Sequence, residues 1–301
     1  MITPALLGVV ASVDAGAAPG GGGGGGNTLS RTTSGLVFRD QFNRSNRVLN
    51  GDNGWEESNA GTYDIVSNVV VGDSGGANGG EGVGNSLGDQ GSVIVQANHR
   101  SDSEQTKGRL VANADAPAGW PTGWSINAKS GSGYRIGEHD GTGTIGSGGS
   151  APADGTEFVY RLVIDKTVSP IEIRAYRDET LANLQDLSKD PSLVASATTT
   201  DDQTGTYYGL YDGDGSNAVN GDWDEFFVCG RNIVVSGIPT GWKIQVDSRT
   251  AVVESGGSVE IDVDAWALPA TTIKLLDASD VEQDSLTPSG GIWGGDVYTV
   301  S

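Results

Sequence analysis

From residue 31 to the C-terminus, short β-branched or alternating runs are punctuated by clusters of Gly, Ser, Asn and Asp. Apolar residues recurring every second position put one face of a strand in a core, and the punctuating residues are those that turn a chain. Such runs fall at 35–38, 63–71, 92–97, 109–112, 124–128, 134–136, 157–165, 171–176, 193–199, 206–211 and 222–228. The clearest are 157–165 (EFVYRLVID) and 171–176 (IEIRAY), the second opened by Pro170. Only 180–187 (TLANLQDL) reads as a short helix. Many strands joined by short turns fold as an all-β, two-sheet antiparallel sandwich.

A second series begins near Arg231, with runs at 233–236, 242–246, 251–253, 258–263, 271–276, 282–285 and 297–300. Short strands at this spacing suit a small C-terminal immunoglobulin-like β-sandwich, here without a Cys pair. The single cysteine, Cys229, reads as a small buried hydrophobe. Gly230 leaves almost no spacer, so the two units should abut. Ahead of both, residues 1–18 are mildly apolar and 20–26 are seven glycines, a flexible tether. No Lys or Arg precedes Arg31, so a positively charged signal-peptide start is missing. Leu6, Leu7, Val9 and Val10 would instead dock into a partner. The expected organisation is therefore 1–30 attachment peptide and linker, 31–230 large sandwich and 231–301 small sandwich.

Composition narrows the partners. Eighteen Lys and Arg against 39 Asp and Glu give a net charge of −21. Nucleic acid and anionic membrane surfaces both call for clustered basic residues, and neither is expected here. No apolar run is long enough for a membrane-spanning helix. Glycine is abundant, 48 of 301 residues, without the three-residue period of collagen.

Phe38-Arg39-Asp40-Gln41-Phe42-Asn43-Arg44-Ser45-Asn46, then Leu49, Gly54-Trp55 and Tyr63-Asp64-Ile65 with Asn68, resemble the opening of LamG-like jelly-roll domains of the concanavalin A superfamily. Tyr63 stands where the family's G-x-W-x-I strand carries Trp. Asp222-Trp223-Asp224-Glu225-Phe226-Phe227-Val228 is similar to the family's closing strand, and the likeness covers about 35–230. The C-terminal unit, with Gly237-Ile238-Pro239-Thr240-Gly241-Trp242 and 288–296 (PSGGIWGGD), resembles immunoglobulin-like modules of tailed-phage structural proteins. Together these likenesses imply a non-enzymatic virion protein: a capsid decoration, head fibre, tail fibre or spike. Its partners would be capsid or tail subunits, host-surface glycans and further copies of itself. The alternative is a secreted, lectin-like carbohydrate-binding protein.

Candidate chemistry is sparse. Glycosidases of the superfamily carry Glu-x-Asp-x-Glu on one strand face. The nearest stretch here would align Asp222, Asp224 and Phe226, with both glutamates missing. Glu56 and Glu57 fall on opposite faces. The two histidines, His99 and His139, read as solvated loop residues, and no G-x-S-x-G elbow occurs. No catalytic residue is therefore expected. The acidic tract 190–230 holds no Lys or Arg. Within and beside its turn, Asp212, Asp214, Ser216 and Asp222 space oxygen ligands suited to Ca²⁺, although a plain acidic turn fits as well. Trp120 and Trp124 in GWPTGW and Trp293 between glycine pairs are the candidate glycan or partner contacts, while Trp55, Tyr207, Trp223 and Trp266 are expected in the core.

Overall fold

The computed structural model describes residues 27–57, 63–72, 81–100, 106–117, 122–129, 133–138, 143–150, 153, 156–178, 192–212, 222–246, 249–253, 257–264 and 272–301. The period-two runs become strands β1 (Leu29–Thr33), β2 (Leu36–Asp40), β3 (Arg47–Val48), β4 (Trp55–Glu57), β5 (Tyr63–Val66), β6 (Val69–Gly72), β7 (Glu81–Ser86) and β8 (Val93–Arg100). They continue as β9 (Thr106–Ala114), β10 (Trp124–Lys129), β11 (Gly133–Glu138), β12 (Gly143–Gly148), β13 (Glu157–Asp165), β14 (Ile171–Asp178), β15 (Ser192–Thr199), β16 (Tyr207–Asp212) and β17 (Asp222–Gly230). The remainder are β18 (Ile233–Ser236), β19 (Lys243–Val246), β20 (Arg249–Val252), β21 (Ser258–Ile261), β22 (Ile273–Leu276), β23 (Glu282–Leu286) and β24 (Val297–Val300). The fold is all-β as expected; the expected helix at 180–187 lies outside the described residues.

Two sheets form the large sandwich. One runs β12-β11-β10-β9-β16-β7-β4, and the other runs β15-β14-β13-β8-β17-β6-β5-β3, with β2 also on β17. Neighbours far apart in sequence, such as β9 with β16 and β8 with β17, give the crossing connections of a jelly roll. Alternation decides what fills the space between. Phe158, Tyr160, Leu162 and Ile164 of β13 meet Trp124, Ile126, Tyr134 and Leu210 from the facing sheet in one core. Asp40, in the DQFNR segment, anchors the entrance to this core. Its carboxylate accepts hydrogen bonds from Arg44 (2.6 and 2.9 Å), Trp55 Nε1 (2.8 Å), Asn53 (3.2 Å) and the Phe42 amide (2.8 Å). That last bond helps hold Phe42 at φ 50, a left-handed conformation costly for a bulky residue.

The small sandwich packs sheet β1-β24-β18-β21 against β20-β19-β22-β23. Its first sheet includes the chain's first described strand: Leu29 pairs with Val300 and Arg31 with Tyr298. The expected start of the large unit at residue 31 therefore falls inside a strand of the small one. Apolar edges drive this, since Leu29 is buried with Ile233, Val235, Tyr298 and Val300.

The two units share a core. On the outer side of the nine-stranded sheet, Ile94, Val163, Tyr176, Phe227 and Cys229 join the cluster containing Ile238, Ile292 and Trp293. Strand β13 is consequently buried on both faces, beyond what its alternation suggests. In β17 the register against β8 shifts between Trp223 and Phe226, a bulge that turns both aromatics into the core. The expected common face of Asp222, Asp224 and Phe226 is thereby broken. His99, expected in a solvated loop, is 1% exposed within β8 and stacks on Trp223 with centroids 4.1 Å apart. The preceding residues 93–98 already form a buried strand, and continuing its alternation carries the imidazole inward.

Candidate glycan-binding face

The outer face of the seven-stranded sheet carries a recess whose floor is glycine. Leu110, Tyr208, Leu210, Ile126 and Ile136 point into the core, so the alternate positions of the same strands point away from it. Strand pairing lines those positions up in rows. Glu56 lies opposite Gly84, Gly84 opposite Gly209, Gly209 opposite Val111, Val111 opposite Ser125, and Ser125 opposite Gly137. One row over, Gly82 lies opposite Tyr211, followed by Arg109, Asn127, Arg135 and Ser147.

Where three glycines meet, a shallow recess no larger than a water molecule lies beside Tyr207, and Gly82, Gly84, Gly209, Val111, Ala114 and Tyr211 around it are buried. Tyr207, Tyr211, Val111, Ala114 and Pro117 wall it. Val111, Ala114 and Tyr211 form a small apolar cluster apart from the main core, with Tyr207 packed against it. The glycines serve different ends. A Cβ on Gly209 would come within 2.0 Å of the Val83 carbonyl, so only glycine allows β16 to approach β7 there. A Cβ on Gly84 would meet Tyr207 at an ordinary 3.5 Å, so its absence leaves open space rather than relieving a clash.

Tyr207 is half-buried, and its hydroxyl donates to Glu56 Oε2 at 2.9 Å. The hydrogen bond to the Glu56 carboxylate pushes the phenol above its ordinary value, with burial adding to it. Arg109 lies over the Tyr211 ring, 5.1 Å from its centroid. Beneath the face, the Tyr208 hydroxyl accepts from Asn113 (2.9 Å) and the Gln90 amide (3.1 Å), and burial pushes its phenol up to about 12. These bonds hold β16 in register, with Tyr207 half-buried and Tyr211 buried on the side away from the main core.

Most of the aromatic contacts expected from sequence lie elsewhere. Trp124 is fully buried, with Lys166 Nζ 5.4 Å from its ring centroid, so it cannot stack on a ligand. Trp293 is 6% exposed and sits edge-on to Phe227 at 5.1 Å, where the two units meet, rather than at an exposed hairpin tip. Tyr207, expected in the core, is the partly exposed aromatic beside the recess. Trp55 and Trp223 are in the core as expected. Trp120, Trp266, His139 and the docking residues Leu6, Leu7, Val9 and Val10 lie outside the described residues.

Of the calcium set, Asp212 ends β16 in one sheet and Asp222 begins β17 in the other, while Asp214 and Ser216 lie outside the described residues. Among the described residues no three His, Cys, Asp or Glu side chains gather as a metal site. Nor do the β17 carboxylates converge on the recess. Glu225 is buried against Arg39 at 2.6 Å, and Asp224 is exposed on the nine-stranded sheet.

No protein-family model matches the chain, and no curated protein matches it. Solved structures resemble it in shape. The exoplasmic/lumenal domain of VIP36, solved with Ca²⁺ and Man2, is 10% identical with a TM-score of 0.44, over 58% of this chain and 80% of that one. Carbohydrate binding module CBM66 from Bacillus subtilis is 14% identical with a TM-score of 0.43, over 57% and 94%. Peanut lectin in complex with a nine-residue peptide is 10% identical with a TM-score of 0.43, over 64% and 95%. Likeness at this level assigns neither a family nor a ligand.

Proposed function

We propose that this chain is a non-enzymatic carbohydrate-binding protein that holds a glycan against the outer face of its seven-stranded sheet. The observation that carries the reading is the partly exposed Tyr207 ring at the edge of the glycine-lined recess, hydrogen-bonded to the exposed Glu56. A sugar offers an apolar ring face and a rim of hydroxyls. It is recognised by an aromatic wall beside planar hydrogen-bonding groups. Tyr207 supplies the wall, Glu56 accepts from hydroxyls, and Arg109 and Asn127 lie one row away.

The virion reading rests on residues 1–26 and on the phage-module likeness of the small sandwich. A tethered head of this kind would display the same face. The Ca²⁺ proposal rests on the 212–222 turn and stands apart from the recess.

Glycan-array screening of the full chain, followed by calorimetric titration of the best ligand, tests the proposal. The chain is expected to bind, and Tyr207→Ala to weaken binding by roughly tenfold or more, since a well-placed aromatic contact contributes about 1–3 kcal/mol. No binding across the array, or a Tyr207→Ala variant that binds like the parent, overturns it.

A further inference from the structure

We infer that the glycan taken by this face carries a free amine, its ammonium held between the Glu56 carboxylate and the Tyr207 ring. This rests on the glycan-binding reading and names the substrate class of the same site. Glu56 sits on the edge strand β4, opposite Gly84 of β7. Tyr207 of β16 lies opposite Ser86, two residues further along β7. Gly84 has no side chain, and the Tyr207 ring leans across it: a Cβ there would touch the ring at 3.5 Å. The carboxylate and the phenol therefore meet over β7, and the Tyr207 hydroxyl donates to Glu56 Oε2 at 2.9 Å. That bond fills one of about four acceptor positions on a carboxylate. Glu56 is exposed, and among the described residues no Lys, Arg or His pairs with it. A carboxylate without a counter-charge, one hydrogen bond from an aromatic ring, suits a compact cation: the oxygens take its N–H groups and the ring its charge.

The charge pattern is the second observation. Several other carboxylates take a cation from the chain itself: Asp40 takes Arg44, Glu225 takes Arg39, Glu172 takes Arg174 and Glu282 takes Lys274. Glu56 keeps its negative charge for something outside. The Tyr207 phenol registers that charge, since the Glu56 hydrogen bond, with burial adding to it, holds it above its ordinary value. The net charge of −21 draws cations toward the whole surface, but at about 0.15 M salt that attraction is screened beyond roughly 8 Å. Selection therefore falls to the Glu56 contact. An acidic sugar would be repelled there, and a neutral one would find only hydroxyl contacts. Ser86, exposed beside Tyr207, adds a hydroxyl for the rim of the sugar.

The test titrates a glucosamine oligomer and its N-acetylated counterpart of equal length into the full chain and into Glu56→Gln, at about pH 5.5 and about 0.15 M salt, where the amine carries its proton. Exposed ion pairs and exposed cation–ring contacts are each modest, so the free-amine oligomer should bind the parent roughly fivefold tighter than the acetylated one. Glutamine keeps the size of Glu56 and an acceptor for the Tyr207 hydroxyl, so the variant should fold. It weakens hydroxyl contacts to both oligomers alike and should bring their affinities within about twofold of each other. Equal affinity in the parent overturns the inference and leaves the glycan-binding reading intact. So does a preference that survives in Glu56→Gln, which is the outcome of general attraction between an acidic chain and any cation. If neither oligomer binds while the array yields another ligand, the inference falls alone; if nothing on the array binds either, both fall.

Discussion

The guanidinium of Arg161 lies fully buried between the two units and donates from Nη1 to the Asp264 carbonyl at 3.2 Å. Its Nε donates to Gln96 at 2.9 Å, and burial pushes it down to about 10. The Asp264 side chain in turn takes Arg174 and, at 2.8 Å, Arg231, which also pairs with Asp165. Three arginines and two aspartates thus stitch the small sandwich to the outer side of the nine-stranded sheet, inside a rim of apolar contacts.

Asp264→Ala should cost about 1.5–3 kcal/mol, because it leaves the partly buried Arg174 without its Asp264 carboxylate and Arg231 leaning on Asp165. Urea denaturation followed by tryptophan fluorescence measures this. A loss under about 1 kcal/mol, the usual worth of an exposed ion pair, would show the seam to be wet and weakly coupled.

Removing residues 231–301 should leave a large sandwich that does not stay soluble. Ile94, Val163, Phe227 and Cys229 would be uncovered, and burying a side chain such as Val or Phe contributes about 1.5–3 kcal/mol. β1 would lose its partner β24 as well. Expression of 27–230 alone and sedimentation of the product check this; a monodisperse, cooperatively melting fragment is the contrary result.

Asp40 should give an acid-sensitive term. Burial alone would raise its carboxyl, but hydrogen bonds from Arg44, the Phe42 amide, Trp55 and Asn53 outweigh that and hold it below the ordinary 3.8. A depressed folded value stabilises above the unfolded value, and the stabilisation is lost as pH falls through the folded one. Asp40→Asn should therefore cost about 1.5–3 kcal/mol near neutral pH, and the gap from the parent should narrow below roughly pH 4. A gap that stays constant from pH 7 to pH 3 contradicts the assignment.

Gly209→Ala and Gly84→Ala should part company. At Gly209 the added methyl meets backbone at 2.0 Å, so the variant should be destabilised and its strand pairing disturbed. At Gly84 the methyl makes an ordinary 3.5 Å contact with Tyr207, so the melting temperature should hold while the recess floor rises. Thermal melts of both variants decide this.

The strands were readable because alternation and turn residues are local signals, and 157–165 and 171–176 fall on β13 and β14. What covers a strand's second face is not local. Arg161 reads as a solvent-facing position until residues a hundred positions away are folded over it. Glycines misled most about tryptophan. Gly123 has φ 109 because the chain bends there into β10, delivering Trp124 to the core. Gly294 and Gly295 follow Trp293 because backbone passes there at close range: a Cβ on Gly35 would stand 2.0 Å from the Gly294 carbonyl. Glycine marked close approach in both places, and a flexible tip in neither. The recess did leave a trace, Tyr207-x-Gly209-x-Tyr211 opposite Gly82-x-Gly84, whose period of two puts a glycine gap between aromatics on one face. Recognising it requires knowing that β7 and β16 pair, and more than a hundred residues separate them.

The most direct test of the account is calorimetric titration of the parent chain and Glu56→Gln with the best glycan from an array, each alongside a thermal melt. Glu56 is exposed and accepts from the Tyr207 hydroxyl. The account predicts that Glu56→Gln melts with the parent and binds roughly tenfold more weakly, because a charged acceptor for sugar hydroxyls beside the Tyr207 ring is lost. Unchanged affinity in a variant that melts with the parent would place the glycan elsewhere and contradict the assignment of this face.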